Sequence, residues 1–301
     1  MIAVVSHDAG GAEILSSWLR RCAEPYCVVL DGPAQVIFQR KLGECCVLAL
    51  DEAIKQSDWV LCSTSWQSNL ERLAISQAKA AGKKVVAFLD HWVNYEQRFQ
   101  EQGVAVYPDE IWVGDVEAER LAKALFPELL IVLQVNPYFE DVQQELTCLQ
   151  TSTHNTTQHA VLYVCEPIRE HALLRYGNER YWGYTEEDAL LFFLNNITLL
   201  GSAVERIKIR PHPSESRSKY DWSKQSTSLP IDIGGNKTLF EEIAEADIVV
   251  GCESMAMVVG LLANKRVLSS IPPGGRACCL PQQQIEQLSA LWVRAQRQPH
   301  A

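Results

Sequence analysis

The densest chemical feature of this chain is Arg210-Pro211-His212-Pro213. The apolar stretch Ile207-Lys208-Ile209 leads into it, so a strand ends on an arginine and a turn follows. Proline fixes its own φ and restricts the residue before it. His212 is therefore a stiff imidazole at a strand tip. Beside Arg210 it suits a phosphate, because the ring can donate a hydrogen bond and the guanidinium adds charge. About forty residues on, an apolar run enters Gly251-Cys252-Glu253-Ser254 and then a helix. Ser254 stands where free backbone N–H groups and the helix dipole attract anions. It is equally a plain N-cap, and one serine can do both.

Two weaker features share this half. Gly234-Gly235-Asn236-Lys237-Thr238 joins a strand to a helix. Its amides could reach a base or ribose, or it is a glycine turn capped by Thr238 or Asn236. Glu166, in Cys165-Glu166-Pro167, stands at the tip of the first strand of this half and is a candidate contact.

The first half carries its own strand-end chemistry. In Ser6-His7-Asp8-Ala9-Gly10-Gly11, Gly10 and Gly11 let backbone approach a ligand at a helix start. Asp8 is placed as a general base would be, or it caps the helix. Leu89-Asp90-His91-Trp92-Val93-Asn94-Tyr95 follows a strongly apolar strand, with Arg98 close behind. Asp90 with His91 is the alternative base. Trp92, Tyr95 and Arg98 could line a sugar, or the aromatics simply pack. Ser63-Thr64-Ser65 is a third strand-end loop, offering hydroxyl contacts or a cap. Asn136-Pro137-Tyr138-Phe139 reads as a hinge.

Other chemistries find little support. Gly10-Gly11 is not a G-x-G-x-x-G fingerprint, and P-loop, G-x-S-x-G and Asp-x-Asp motifs are absent. His7-Asp8 and Asp90-His91 are adjacent pairs rather than ligand spacings on one face, so no metal site is expected. No dissociable cofactor is expected either. A net charge of −10 argues against a nucleic-acid surface, though a local basic pocket is compatible with it. None of the ten cysteines forms a C-x-x-C pair, and several lie in apolar runs, which fits buried free thiols in an intracellular chain. The sequence opens directly on Ile2-Ala-Val-Val-Ser6 and has no window long enough for a membrane span. The expectation is a cytoplasmic protein, with peripheral membrane association left open.

Around these residues, short apolar runs alternate with longer amphipathic stretches, the pattern of parallel sheets with crossover helices. Strands are predicted at 2–6, 26–30, 59–62, 84–89, 110–113 and 130–133, then at 160–165, 206–210, 229–233, 247–251 and 266–269. Helices are predicted at 11–21, 33–41, 67–81 and 116–125, the last capped by Asp115, then at 186–200, 237–246 and 254–263. A closing helix is predicted over 282–297. The polar stretch 150–158 reads as a linker. It separates a first α/β domain, 1–149, from a second, 159–301. With 301 residues, 47% of them hydrophobic, each half can hold a core. Two such domains would face one another across a cleft, with ligands beyond the carboxyl ends of the strands.

Arg-Pro-His-Pro, then strand–Gly-x-Glu-Ser–helix and Leu261-Leu-Ala-Asn-Lys-Arg-Val267, resembles the nucleotide-binding half of GT-B-fold glycosyltransferases over about residues 160–270. The likeness is greatest to the bacterial sialyltransferase and capsule-polysaccharide transferase group. It implies two Rossmann-like domains, with His212, Pro213 and Ser254 at the phosphate and ribose of a CMP-sugar. Glu253 replaces the first serine of that group's usual pair and could accept from ribose hydroxyls. Asp8-Ala9-Gly10 matches the group's acidic-Gly base motif loosely. The implied function is metal-independent transfer from a nucleotide-sugar to a glycan acceptor in surface-glycan synthesis. A nucleotide-sugar epimerase or hydrolase of the same build, and a non-catalytic nucleotide-sugar binder, are the alternatives.

Overall fold

The computed structural model describes residues 1–65, 68–101, 103–149, 158–201 and 203–297. The chain forms two compact units, Met1–Asp141 and Val142–Ala301.

In the first unit, β1 (Ile2–Ser6), β2 (Tyr26–Leu30), β3 (Trp59–Cys62) and β4 (Lys84–Leu89) are four parallel strands. Helices α1 (Ala9–Leu19), α2 (Pro33–Leu42), α3 (Leu50–Gln56) and α4 (Leu70–Ala80) connect them. After β4 come α5 (Tyr95–Phe99) and the short antiparallel hairpin of β5 (Gln100–Glu101) and β6 (Val104–Ala105). The unit then runs through β7 (Glu110–Val113), α6 (Val116–Leu125) and β8 (Leu130–Leu133). Helix α7 (Pro137–Leu149) spans the boundary between the units.

The sheet order is β2-β1-β3-β4-β7-β8, all parallel. All five residues of β1 are buried, because helices cover both faces of a parallel sheet. That is why these strands read as unbroken apolar runs. Ile2, Val4, Leu15, Leu61 and Phe88 form one core. Fully burying a side chain of this size contributes about 1.5–3 kcal/mol. Trp18, Trp59 and Trp112 meet pairwise at 5.7–6.3 Å at its edge.

The second unit holds β9 (Gln158–Val164), α8 (Ile168–Tyr176), α9 (Glu186–Asn195) and β10 (Ala203–Arg210). A 3₁₀ segment, Arg217–Gln225, leads to β11 (Ile231–Ile233) and α10 (Leu239–Ala244). It continues with β12 (Ile248–Gly251), α11 (Met255–Leu262), β13 (Arg266–Ser269), β14 (Ile285–Gln287) and α12 (Leu288–Arg297). The order β11-β10-β9-β12-β13-β14, all parallel, is the 3-2-1-4-5-6 arrangement of the Rossmann fold. Tyr163, Phe193, Ile207 and Val250 centre its core.

The fold class read from the sequence is the one observed: two Rossmann-like parallel α/β units. Local readings change at several places; the helix read over 186–200, for one, ends at Asn195 and a 3₁₀ turn covers Ile197–Leu200. Residues 285–287, read as helix, form the edge strand β14. Helix α1 starts at Ala9 and ends at Leu19 rather than spanning 11–21. Asn136-Pro137, read as a hinge, opens α7, with the Asn136 Oδ1 accepting from the Tyr138 N–H at 3.0 Å. Of the stretch 150–158, read as linker, residues 150–157 lie outside the described residues and Gln158 opens β9. Among the described residues no helix is long and apolar enough to cross a membrane. All ten cysteines are free; Cys27, Cys62, Cys165 and Cys252 are buried, while Cys46 and Cys148 are exposed.

Candidate functional site

In a doubly wound sheet the ligand crevice opens where neighbouring strands send their connections to opposite faces. In the second unit that point lies between β9 and β12. Glu166 follows β9, and Cys252, Glu253 and Ser254 follow β12. His212 follows β10, on the other side of β9. Because all these strands are parallel, the residues share one edge of the sheet. The tips of β10 and β12 are about 10 Å apart at the usual strand spacing.

His212 is firmly held. Its backbone N–H donates to Glu215 Oε2 at 2.9 Å. The Glu215 side chain, wholly buried, also accepts from Lys219 Nζ at 2.7 Å and from the Tyr220 hydroxyl at 2.9 Å. Lys219 is paired in turn with Glu186. The His212 Nδ1 lies 2.7 Å from Ser214 Oγ and accepts from the Ser214 N–H at 3.3 Å. This assigns the proton to Nε2. Burial pushes the imidazole below its ordinary value; nearby His171 adds to this and Glu215 opposes it. Nδ1 is thus engaged by Ser214 while the burial of the ring disfavours its charged form. Pro211 is buried and Pro213 exposed, so the turn is clamped on one side only.

The start of α11 is occupied in an unforeseen way. The Glu166 Oε1 accepts from the Cys252 N–H at 3.1 Å and the Glu253 N–H at 2.8 Å. Burial pushes the half-buried Glu166 up to about 7, with the Glu253 charge adding to it and the amide bonds opposing it. The amides expected to await a phosphate thus already hold an internal carboxyl. Ser254 caps α11, accepting from the Ala256 N–H at 3.1 Å. Glu253 is committed to Arg276 and to the Cys279 N–H at 3.2 Å, so it holds the following loop rather than standing open for ribose. The Tyr184 hydroxyl, close to Glu166 and Glu253, is buried with no hydrogen-bond partner among the described residues.

Arg210 does not add its charge to His212. Its guanidinium donates to Glu242 Oε2 at 2.6 Å and to the Lys237 carbonyl at 3.0 Å. Glu242 also accepts from the Gly235 N–H at 2.7 Å. A Cβ at Gly234 would lie 2.8 Å from that same carboxylate, so the absence of a side chain lets Glu242 seat. Thr238 forms a capping box with Glu241. Gly234, Thr238 and Arg210 therefore build the start of α10 and leave the ligand edge to His212 and Glu166.

In the first unit the switch point lies between β1 and β3. Asp8 occupies the N-cap position of α1 but makes no cap bond; its Oδ1 lies 2.7 Å from His7 Nδ1. Asp90 is ion-paired with Arg98, which also donates to Thr64 Oγ1 at 2.8 Å. A Cβ on Gly10 would overlap Asp90 Oδ2, and one on Gly11 would overlap Ser63 Cβ. These glycines let α1 lie directly against the tips of β4 and β3. His91 is half-buried, its Nδ1 accepting from the Trp92 N–H at 2.9 Å.

The sugar-stacking reading of Trp92 and Tyr95 is corrected. Trp92 is 7% and Tyr95 2% exposed, and Trp92 Nε1 donates to Asp115 at 3.0 Å. Arg98, 5% exposed, belongs to the same interior cluster. The physical reason is that a strand-end loop can fold its aromatics inward to close the core, and sequence does not tell the two apart.

The sequence reading missed Glu71. It is 2% exposed, with Oε1 accepting from the His7 N–H at 2.8 Å and from Ser63 Oγ at 2.9 Å. A signal existed: Glu71, Ala74, Ile75 and Ala78 follow helical spacing on the buried stripe of α4. Among the described residues no group of three or more His, Cys, Asp or Glu side chains could hold a metal ion.

The fold and these strand-end sites define a doubly wound, GT-B-like pair of Rossmann units. No protein-family model matches the sequence, and neither does any curated protein. Solved structures do. The UDP-GlcNAc 2-epimerase of Methanocaldococcus jannaschii matches with a TM-score of 0.59 and 10% identity, over 89% of this chain and 83% of that one. The UDP complex of S. aureus MnaA matches with a TM-score of 0.61 and 9% identity, over 98% and 87%. A further UDP-N-acetylglucosamine 2-epimerase gives 0.58 and 9%, over 89% and 77%. At these identities the likeness is one of fold.

Proposed function

We propose that this chain is a metal-independent enzyme acting on a nucleotide-activated sugar. In this reading it transfers the sugar to a hydroxyl of a glycan acceptor in surface-glycan synthesis, in the cytoplasm, with a CMP-sugar as the favoured donor and no separate cofactor. The observation that carries the reading is His212. Its imidazole is fixed by Glu215 and Ser214 at the edge where a Rossmann sheet takes its ligand. A donor aimed at a phosphate stabilises the charge that grows there as the glycosidic bond breaks. Ser254, whose hydroxyl caps α11, stands on the same edge. Asp8, not engaged in capping, is the group assigned to take the proton of the attacking hydroxyl, and His7 orients it. The Asp90–His91 pair suits this less well, because Asp90 is already neutralised by Arg98.

The test is a thermal-shift panel of CMP, UDP, GDP and ADP, followed by turnover of the matching sugar donor. A bound nucleotide raises the melting temperature by mass action. His212→Ala should weaken the selected nucleotide about tenfold, the worth of one hydrogen bond of about 1.4 kcal/mol, with the fold intact. If no nucleotide at millimolar concentration moves the melting curve, the proposal fails.

A second reading, epimerisation or hydrolysis of the nucleotide-sugar, is favoured by the fold likeness to UDP-GlcNAc 2-epimerases and to the UDP complex of MnaA. Donor supplied alone separates the two. An epimerase or hydrolase converts it fully, while a transferase does so slowly until acceptor is added.

A further inference from the structure

Glu71 takes no part in the reading above, yet it sits at the switch point of the first unit. Its Oε1 receives two hydrogen bonds, one from the His7 backbone at 2.8 Å and one from Ser63 Oγ at 2.9 Å. Ser63 Oγ also lies 2.9 Å from Ser6 Oγ. The Ser63 hydroxyl has a single proton to donate, and both Glu71 Oε1 and Ser6 Oγ stand within reach of it at 2.9 Å. The result is a buried polar cluster of Ser6, Ser63 and Glu71 beside the turn that carries His7 and Asp8. Gly11 closes the arrangement from above, since its bare Cα lets α1 rest on Ser63. The other oxygen of Glu71, Oε2, is buried with no partner among the described residues.

We propose that Glu71 is a positioning residue, the buried acceptor that fixes the β1–α1 turn and so aims the Asp8 carboxylate at its substrate. This rests on the assignment of Asp8 as the base. A packing role alone would be served by an apolar side chain of similar length. Such a residue would take from the His7 amide the acceptor it has in Glu71. Burial also pushes the Glu71 carboxyl above its ordinary value, and the Asp8 charge adds to this, against the hydrogen bonds that Glu71 accepts.

The experiment compares wild type with Glu71→Gln, Glu71→Ala, Ser63→Ala and Asp8→Asn. It measures turnover of the donor selected by the nucleotide panel across pH, and hydrogen exchange at the His7 amide. Glu71→Gln keeps the acceptor oxygen and should hold kcat within about threefold, with an unchanged pH profile. Glu71→Ala should lower kcat about 10- to 100-fold, the scale for an ångström-sized misplacement, with KM within about twofold. The His7 amide should exchange faster in Glu71→Ala and stay protected in Glu71→Gln. Ser63→Ala, which removes one of the two donors, should fall between, and it serves where Glu71→Ala does not fold. A His7 amide equally protected in all variants overturns the proposal. So does a KM that rises in step with any loss of kcat, or a Glu71→Gln as impaired as Glu71→Ala. If Asp8→Asn turns over like wild type, the base assignment fails, and the His7 exchange rates separately decide whether Glu71 fixes the turn.

Discussion

Replacing Glu166 by glutamine should make the protein more stable at pH 8 and only slightly more stable at pH 5. In the fold its carboxyl is pushed from an ordinary 4.5 up to about 7 by burial and by the Glu253 charge. Each tenfold change is about 1.4 kcal/mol, and partial exposure screens some of it, so ionising Glu166 in place costs about 2–3 kcal/mol. The sign follows from proton counting. Between pH 4.5 and 7 the folded chain binds more protons at this site than the unfolded chain, so stability falls as pH rises through that window. Above 7 the full penalty is in place; below 4.5 both states are protonated and it vanishes. The amide of the Glu166→Gln variant cannot ionise, yet its carbonyl can still accept from the Cys252 and Glu253 N–H groups. The assay is thermal unfolding of both proteins from pH 4.5 to 8.5. Other titrating groups are common to the two, so the difference curve isolates this site. It should rise from near zero to about 5–10 °C at pH 8, at about 2–4 °C per kcal/mol for a unit of this size. A flat difference curve, or a variant less stable at pH 8, would refute the reasoning.

Two further outcomes test the supports of the sites. Arg210→Ala should destabilise the second unit by about 3–5 kcal/mol in urea unfolding, because it strands the buried Glu242 carboxylate. Removing Glu242 as well should recover part of that loss, and strict additivity of the two would contradict a coupled pair. Gly11→Ala should cost about 1–3 kcal/mol, since its methyl meets the Ser63 Cβ and cannot be relieved by a flexible side chain. A melting temperature equal to wild type would show that α1 does not bear on β3 as described.

The strand boundaries at Trp59–Cys62, Lys84–Leu89, Glu110–Val113 and Leu130–Leu133 were legible. Trp59–Cys62 and Lys84–Leu89 are central strands packed on both faces, which leaves an apolar run in the sequence; Leu130–Leu133 is an edge strand, apolar in spelling though half of it is exposed. Asp115 was legible as the cap of α6, since it is an acid standing just ahead of an amphipathic stretch. The three-residue edge strand β14 was not: it is too short to show alternation and runs directly into α12. Helix α8 escaped notice because Leu173 and Leu174 face solvent and blur its stripe. Within the sites, His212 was legible because its flanking prolines declare a stiff turn. Trp92 and Tyr95 misled, since an aromatic after a strand has the same spelling whether it lines a ligand or closes a core.

The order of residues was enough for the class of fold, the two-unit plan and the strand tips on which polar groups gather. Those features depend on periodicity and on caps within a few residues. The partners came only with tertiary packing. Glu166 with Glu253, His7 with Glu71, Arg210 with Glu242 and Trp92 with Asp115 are 87, 64, 32 and 23 residues apart. Packing also settled that one sheet is ordered 2-1-3 and the other 2-1-4 around the switch point. A hydrogen bond depends on ångströms rather than residue counts, and only the order of strands in the sheet turns one into the other.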